Sequence, residues 1–305
     1  MSNVSSRTMF VFLALLVFIL MIGVFYVTFS PRFTIKDDIS AGEFVERTGA
    51  GQITGTVVYH KGMKAEGLQD RDVIVWLPPN YETDSDQRYP VLYMHDGQNL
   101  FDPTTSFIGT DWQVDETADS MIRSGELPGF IVVGIYNTSD RMYEYTPGQK
   151  GDAYLNFITH VLKPFIDDEY RTLPDRDNTF VGGSSAGGIV SFMIVWEHPD
   201  VFSRAICMSP AFRSPDGFNY QFNYIDTVKK SAVTPESVLF YIDNGGIDLE
   251  AQLQPGIDEM ITALKSRGMR EGVDFVFFKD EEAPHNEHAW ADRMPEALRL
   301  IFSDK

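Results

Sequence analysis

A chain of 305 residues with 44 acidic and 25 basic side chains carries a formal net charge of −19. No Lys/Arg cluster interrupts the acidity, which argues against nucleic acid as a partner. Its 43% hydrophobic and 13% aromatic content is enough to bury one large core, and one α/β domain of roughly 250 residues is within the normal range. The single cysteine, Cys207, lies in the apolar run Ala205-Ile206-Cys207-Met208. It cannot form an internal disulfide and reads as a buried strand residue. Cys and His show no metal-ligand spacing, and no metal or cofactor is expected.

Residues 9–29 are almost wholly apolar and long enough to cross a bilayer as a helix. Val27-Thr28-Phe29-Ser30-Pro31 is a poor cleavage site, so residues 1–30 read as an uncleaved anchor, the alternative being a cleaved signal that leaves a secreted protein. Arg7 lies on one side, Arg32 and Lys36 on the other, so charge hardly orients the segment. An extracytoplasmic domain is the expectation. Residues 31–52 read as a tether, and 53–305 as the folded domain.

Within that domain, 53–59 and 72–77 are strand-like and separated by a polar turn, as in an antiparallel pair. The continuous apolar runs 90–95 and 130–135 suit strands covered on both faces, with a helix expected over 112–123 between them. A helix is expected over 154–165, then a strand Thr179-Phe180-Val181, a helix from Ile189 to Trp196, and a strand over 204–208. Residues 210–234, with Phe212, Phe218, Tyr220, Phe222 and Tyr224, read either as a cap over a site or as an ordinary packed excursion. Strands over 238–242 and 273–278 and helices over 257–267 and 292–302 complete an alternating pattern. It implies a mostly parallel sheet flanked by helices, preceded by one N-terminal transmembrane helix.

The chemistry centres on Gly182-Gly183-Ser184-Ser185-Ala186-Gly187-Gly188. Strand, sharp turn and helix form the context of a Gly-x-Ser-x-Gly nucleophile elbow, with glycine at 183 and 187 where a Cβ would clash. Ser185 is the nucleophile in this register; Ser184 would need glycine at 186 and finds Ala186. A serine hydroxyl needs a base, and the base an orienting acid. In the α/β-hydrolase order both follow the serine. His198 ends the elbow helix and should point away. His285 and His288 occupy the loop after the last strand, where the base belongs, and His285 comes first. Asp243 and Asp248 are both available for the acid. Asp243 suits capping of its own turn, whereas Asp248 lies past Gly245-Gly246, where the chain can bend back. The backbone N–H groups of Ala186 and of Gln98, in His95-Asp96-Gly97-Gln98-Asn99, are the candidate oxyanion donors.

Four motifs arrive in order: Tyr93 to Asp102, Gly182 to Gly188, Asp243-Asn244-Gly245-Gly246-Ile247-Asp248, and His285-Asn286-Glu287-His288-Ala289-Trp290. Together they resemble the esterase family that groups enterochelin (siderophore) esterases, feruloyl and acetylxylan esterases, S-formylglutathione hydrolase and the mycolyltransferases. The resemblance covers about residues 53–303 and implies an α/β-hydrolase fold with a Ser185–His285–Asp248 triad. It further implies hydrolysis of a small-molecule, glycan or siderophore ester through an acyl-enzyme. Acyl transfer to a sugar or lipid alcohol is the alternative, and a degenerate binding module a remoter one. Trp112 and the segment 141–147 also resemble family segments near the site.

Overall fold

The computed structural model describes residues 43–45, 53–215 and 217–303. Among these, no helix is long and apolar enough to cross a membrane; the apolar run 9–29 and most of the tether lie outside the described residues. The tether does contain a strand, β1 (Glu43–Val45), paired antiparallel with β2 (Thr56–Met63). β2 pairs antiparallel with β3 (Arg71–Leu77), and β3 with β5 (Ile131–Ile135). From there the sheet is parallel, through β4 (Val91–His95), β6 (Thr179–Ser184), β7 (Arg204–Met208), β8 (Leu239–Gly245) and β9 (Phe275–Asp280). The spatial order is β1-β2-β3-β5-β4-β6-β7-β8-β9. The result is an α/β fold with a mostly parallel sheet flanked by helices.

Because side chains alternate across a strand, each apolar run feeds two cores. Val75, Tyr93, Val133, Val181, Cys207 and Phe240 pack on one face, beneath α2 (Gln149–Phe157), α4 (Ala186–Glu197) and α5 (Leu249–Ser266). Trp76, Met94, Val132, Phe180, Ile206 and Tyr241 pack on the other, beneath α1 (Val114–Arg123) and α6 (Glu287–Phe302). All residues from Ala186 to Trp196 are buried, which is why the elbow helix is apolar on every side instead of showing a stripe.

Several boundaries differ from the sequence expectation. The expected 154–165 helix is α2, then a π turn over Ile158–Leu162, then α3 (Lys163–Glu169), with Pro164 directly after the π turn. α5 begins eight residues earlier than expected and runs through Pro255, and α6 begins at Glu287. β8 continues to Gly245. In the aromatic stretch after β7, Phe212 and Tyr224 are core residues, whereas Phe218 is exposed. A short helix, Ile225–Lys230, follows. The stretch is thus anchored at both ends, with only its middle facing outward.

Candidate active site

β6 ends at Ser184, and Ser185 turns the chain into α4 at φ 56°, ψ −118°, a region non-glycine residues occupy only under constraint. The constraint is visible. The Ser185 N–H donates to the Met208 carbonyl at 2.9 Å, and the Ser185 carbonyl accepts from the Gly188, Ile189 and Ala211 N–H groups. A Cβ on Gly183 would lie 2.9 Å from the Gly187 backbone, so a side chain there would force the turn apart. Gly187 is less confined, since a Cβ there would meet Asp96 and His95 at an ordinary 3.4 Å. Ser184 is buried in the strand, whereas Ser185 is half-buried at the tip. Ala186 opens α4, so its N–H is one of those a helix leaves without an internal acceptor.

Gln98 lies on a 3-10 turn, Gly97–Asn99, entered through the left-handed residue Asp96 (φ 59°). Asp96 is fixed by a bidentate pair with Arg141, 2.7 Å from both Nε and Nη2, and accepts from Asn137 Nδ2 at 2.6 Å. The Gln98 carbonyl accepts from Thr105 Oγ1, and its side-chain oxygen from the Asn137 N–H. Since Asp96 abuts Gly187, the loop carrying Gln98 lies against the first turn of α4. Below it His95 is fully buried, with Nδ1 2.9 Å from the Tyr154 hydroxyl. Burial lowers its pKa to about 3, so it is a neutral structural imidazole.

The acid is where structure and sequence part. His285 Nδ1 lies 3.2 Å from Glu250 Oε1, and the Glu250 side chain is fully buried. Asp248 is exposed at the N-cap of α5 (φ 55°, ψ −116°), with no hydrogen bond or ion pair to its carboxylate among the described residues. The reason is where the helix starts. Gly245 and Gly246 press against the histidine loop, where a Cβ on either would lie 2.2 Å from a carbonyl oxygen, Ala283 or Glu281. The Gly246 and Ile247 N–H groups bond the Ala283 carbonyl. The chain is then already beside His285 when α5 starts, and the first turn of the helix, not the loop, presents the carboxylate. His285 also meets the Trp290 ring edge-on, with centroids 4.9 Å apart. His288 is exposed in the first turn of α6, and His198, at the far end of α4, faces His160.

Asp243 does not cap its own turn, as its sequence position suggested. It pairs with Arg293 of α6 (2.9 Å to Nε, 3.3 Å to Nη2) and accepts from the Ser209 N–H at 2.9 Å and the Tyr241 hydroxyl at 3.1 Å. Both charged side chains are nearly inaccessible (0% and 3%), so removing one partner strands a charge. Arg293→Met is expected to cost about 3–5 kcal/mol of stability, read as a lower urea midpoint at unchanged slope. An unchanged midpoint would contradict it.

Glu250, Ser209, Arg293 and the Asp96–Arg141 pair were not singled out from sequence. Asp96 and Arg141 do lie in segments the resemblance marked, and Glu250 left a signal as an acidic residue two positions beyond the chosen aspartate, at a helix start. Trp112 and Trp290, with rings 5.4 Å apart, pack beneath the histidine loop.

The comparisons agree with this architecture. Residues 68–301 match the family described as "Putative esterase", and the chain belongs to that family. It is 33% identical over 159 residues to the protein YjcH of Bacillus subtilis (strain 168), covering 51% of this chain and 62% of that one. Over 208 residues it is 27% identical to an endo-1,4-beta-xylanase/feruloyl esterase of Xylanibacter ruminicola, covering 65% of this chain and 25% of that one. The chain therefore spans less than two thirds of either relative. Among solved structures, a ferulic acid esterase superposes with a TM-score of 0.65 at 22% identity, covering 81% of this chain and 97% of that one. The enterobactin esterase FES from Shigella flexneri superposes at 0.64 with 17% identity, covering 83% and 60%.

Proposed function

We propose that the chain hydrolyses esters through a Ser185–His285–Glu250 triad and an acyl-enzyme. Ser185 Oγ attacks the ester carbonyl while the outer nitrogen of His285 takes its proton. Glu250 holds the inner nitrogen and stabilises the imidazolium, and the proton then passes to the departing alcohol. The N–H groups of Ala186 and Gln98 donate to the oxyanion, and the dipole of α4 favours the same charge. Water, activated in turn by His285, releases the acid. The observations that carry this proposal are the buried Glu250 carboxylate at 3.2 Å from His285 Nδ1 and a serine held in a strained elbow. Burial opposes its charge, but the His285 and Ser209 contacts prevail and hold the carboxyl below its usual range.

The loops after the parallel strands emerge at the edge of the sheet that carries Ser185. They expose Phe107, Ile108, Met142, Tyr143, Phe218 and Ile247, and Tyr143 meets Tyr220 edge-on at 5.1 Å. Such a rim suits an ester with an aromatic or other apolar group, in keeping with what the feruloyl and enterobactin esterases are named for. The test offers purified protein a feruloyl ester, an acetylated glycan and p-nitrophenyl esters, with and without glycerol as acceptor. Faster release of the feruloyl acid, unaffected by glycerol, is expected. Glyceryl ester as the main product would establish acyl transfer instead, and preference for the acetylated glycan would refute the aromatic assignment.

A further inference from the structure

We infer that Ser209 is a positioning residue for the reaction: its hydroxyl is locked as a one-way donor to Glu250, and so aims and stabilises the carboxylate that serves His285. The inference rests on the proposed triad. Ser209 directly follows β7, is fully buried, and has a left-handed backbone with φ 43°. Its N–H is claimed by Asp243, through both the carboxylate at 2.9 Å and the carbonyl at 3.1 Å. The hydroxyl oxygen is 3.1 Å from Trp290 Nε1, 3.0 Å from Arg293 Nη2 and 2.6 Å from Glu250 Oε1.

The direction of each bond follows from chemistry. A hydroxyl has one proton and two acceptor positions. Indole and guanidinium nitrogens can only donate, so Trp290 and Arg293 occupy both acceptor positions. The one proton must then point at Glu250 Oε1, the same oxygen that faces His285. A donor polarised by a guanidinium and aimed at a carboxylate makes a charge-assisted bond. Asp243 neutralises Arg293 while also holding the Ser209 backbone. The network thereby joins the Ser185 turn, which bonds to Met208 and Ala211 on either side of Ser209, to the acid. The charged groups facing Glu250 are His285 directly and, across Ser209, Arg293 with Asp243.

The test is a double-mutant cycle on the full chain with a p-nitrophenyl ester. Ser209→Ala is expected to lower kcat about tenfold at unchanged KM, the scale of one lost hydrogen bond to a charged group. It should also move the acid limb of the kcat profile to higher pH, because the Ser209 donor helps hold the Glu250 carboxyl below its usual range and a carboxylate without it binds protons more readily. In a Glu250→Ala background, the same substitution should cost almost nothing. Should Ser209→Ala fail to fold, Ser209→Gly, which accepts the left-handed backbone, carries the same measurement. Equal losses in both backgrounds with an unmoved acid limb, or no loss at all, would overturn the Ser209 assignment alone. Full activity of Glu250→Ala would instead overturn the triad on which it rests.

Discussion

Replacing Glu250 by glutamine should lower turnover by up to about 10⁴, whereas Asp248→Asn should leave it within a few-fold of the native rate. The contrast follows from position. Glu250 is buried at 3.2 Å from the inner nitrogen of His285, and the isosteric amide keeps the shape while removing the charge that stabilises the imidazolium and selects its tautomer. Asp248 is exposed at a helix cap, so its carboxylate can be neutralised without touching the imidazole. The Glu250 loss should appear in kcat more than KM, because the interaction grows only as His285 becomes charged. Thermal melting should be recorded for both variants. An inactive but folded Asp248→Asn beside an active Glu250→Gln would return the acid to the position the sequence motif implied.

Much of the fold was legible in the sequence because two faces of the sheet are covered. Strands such as 90–95 and 130–135 must then be apolar without interruption, and the helices between them need apolar surface, so the alternation is hard to miss. The elbow was legible for a different reason: the steric demand at Gly183 leaves a glycine in the sequence. Boundaries were less so. α5 continues through Pro255, and α6 starts on the polar residues Glu287 and His288, where no apolar period marks the turn. β1 has three residues and gains its identity only by pairing with β2.

Glu250 went unnoticed in the sequence because a loop was assumed where a helix begins. Asp248 and Glu250 are two residues apart, but Asp248 precedes α5 with a non-helical backbone and Glu250 sits in its first turn, so the two carboxylates leave the chain in different directions. Only the start of α5 decides which carboxylate faces His285, and that start is set by the contact of Gly245 and Gly246 with 281–283. Ser209, Arg293 and Asp243 are further from legibility, since one lies after β7, one on α6 and one in β8. No spacing along the chain relates them; the sheet order does.

The central claim is that Ser185 is the nucleophile of this esterase. A fluorophosphonate probe applied to the folded protein, followed by digestion and mass mapping, should place one covalent adduct on Ser185. The Ser185→Ala variant should neither label nor hydrolyse an ester above the background of the uncatalysed reaction, while melting at a similar temperature. An adduct mapped to Ser184, or undiminished labelling and turnover in folded Ser185→Ala, would contradict the account.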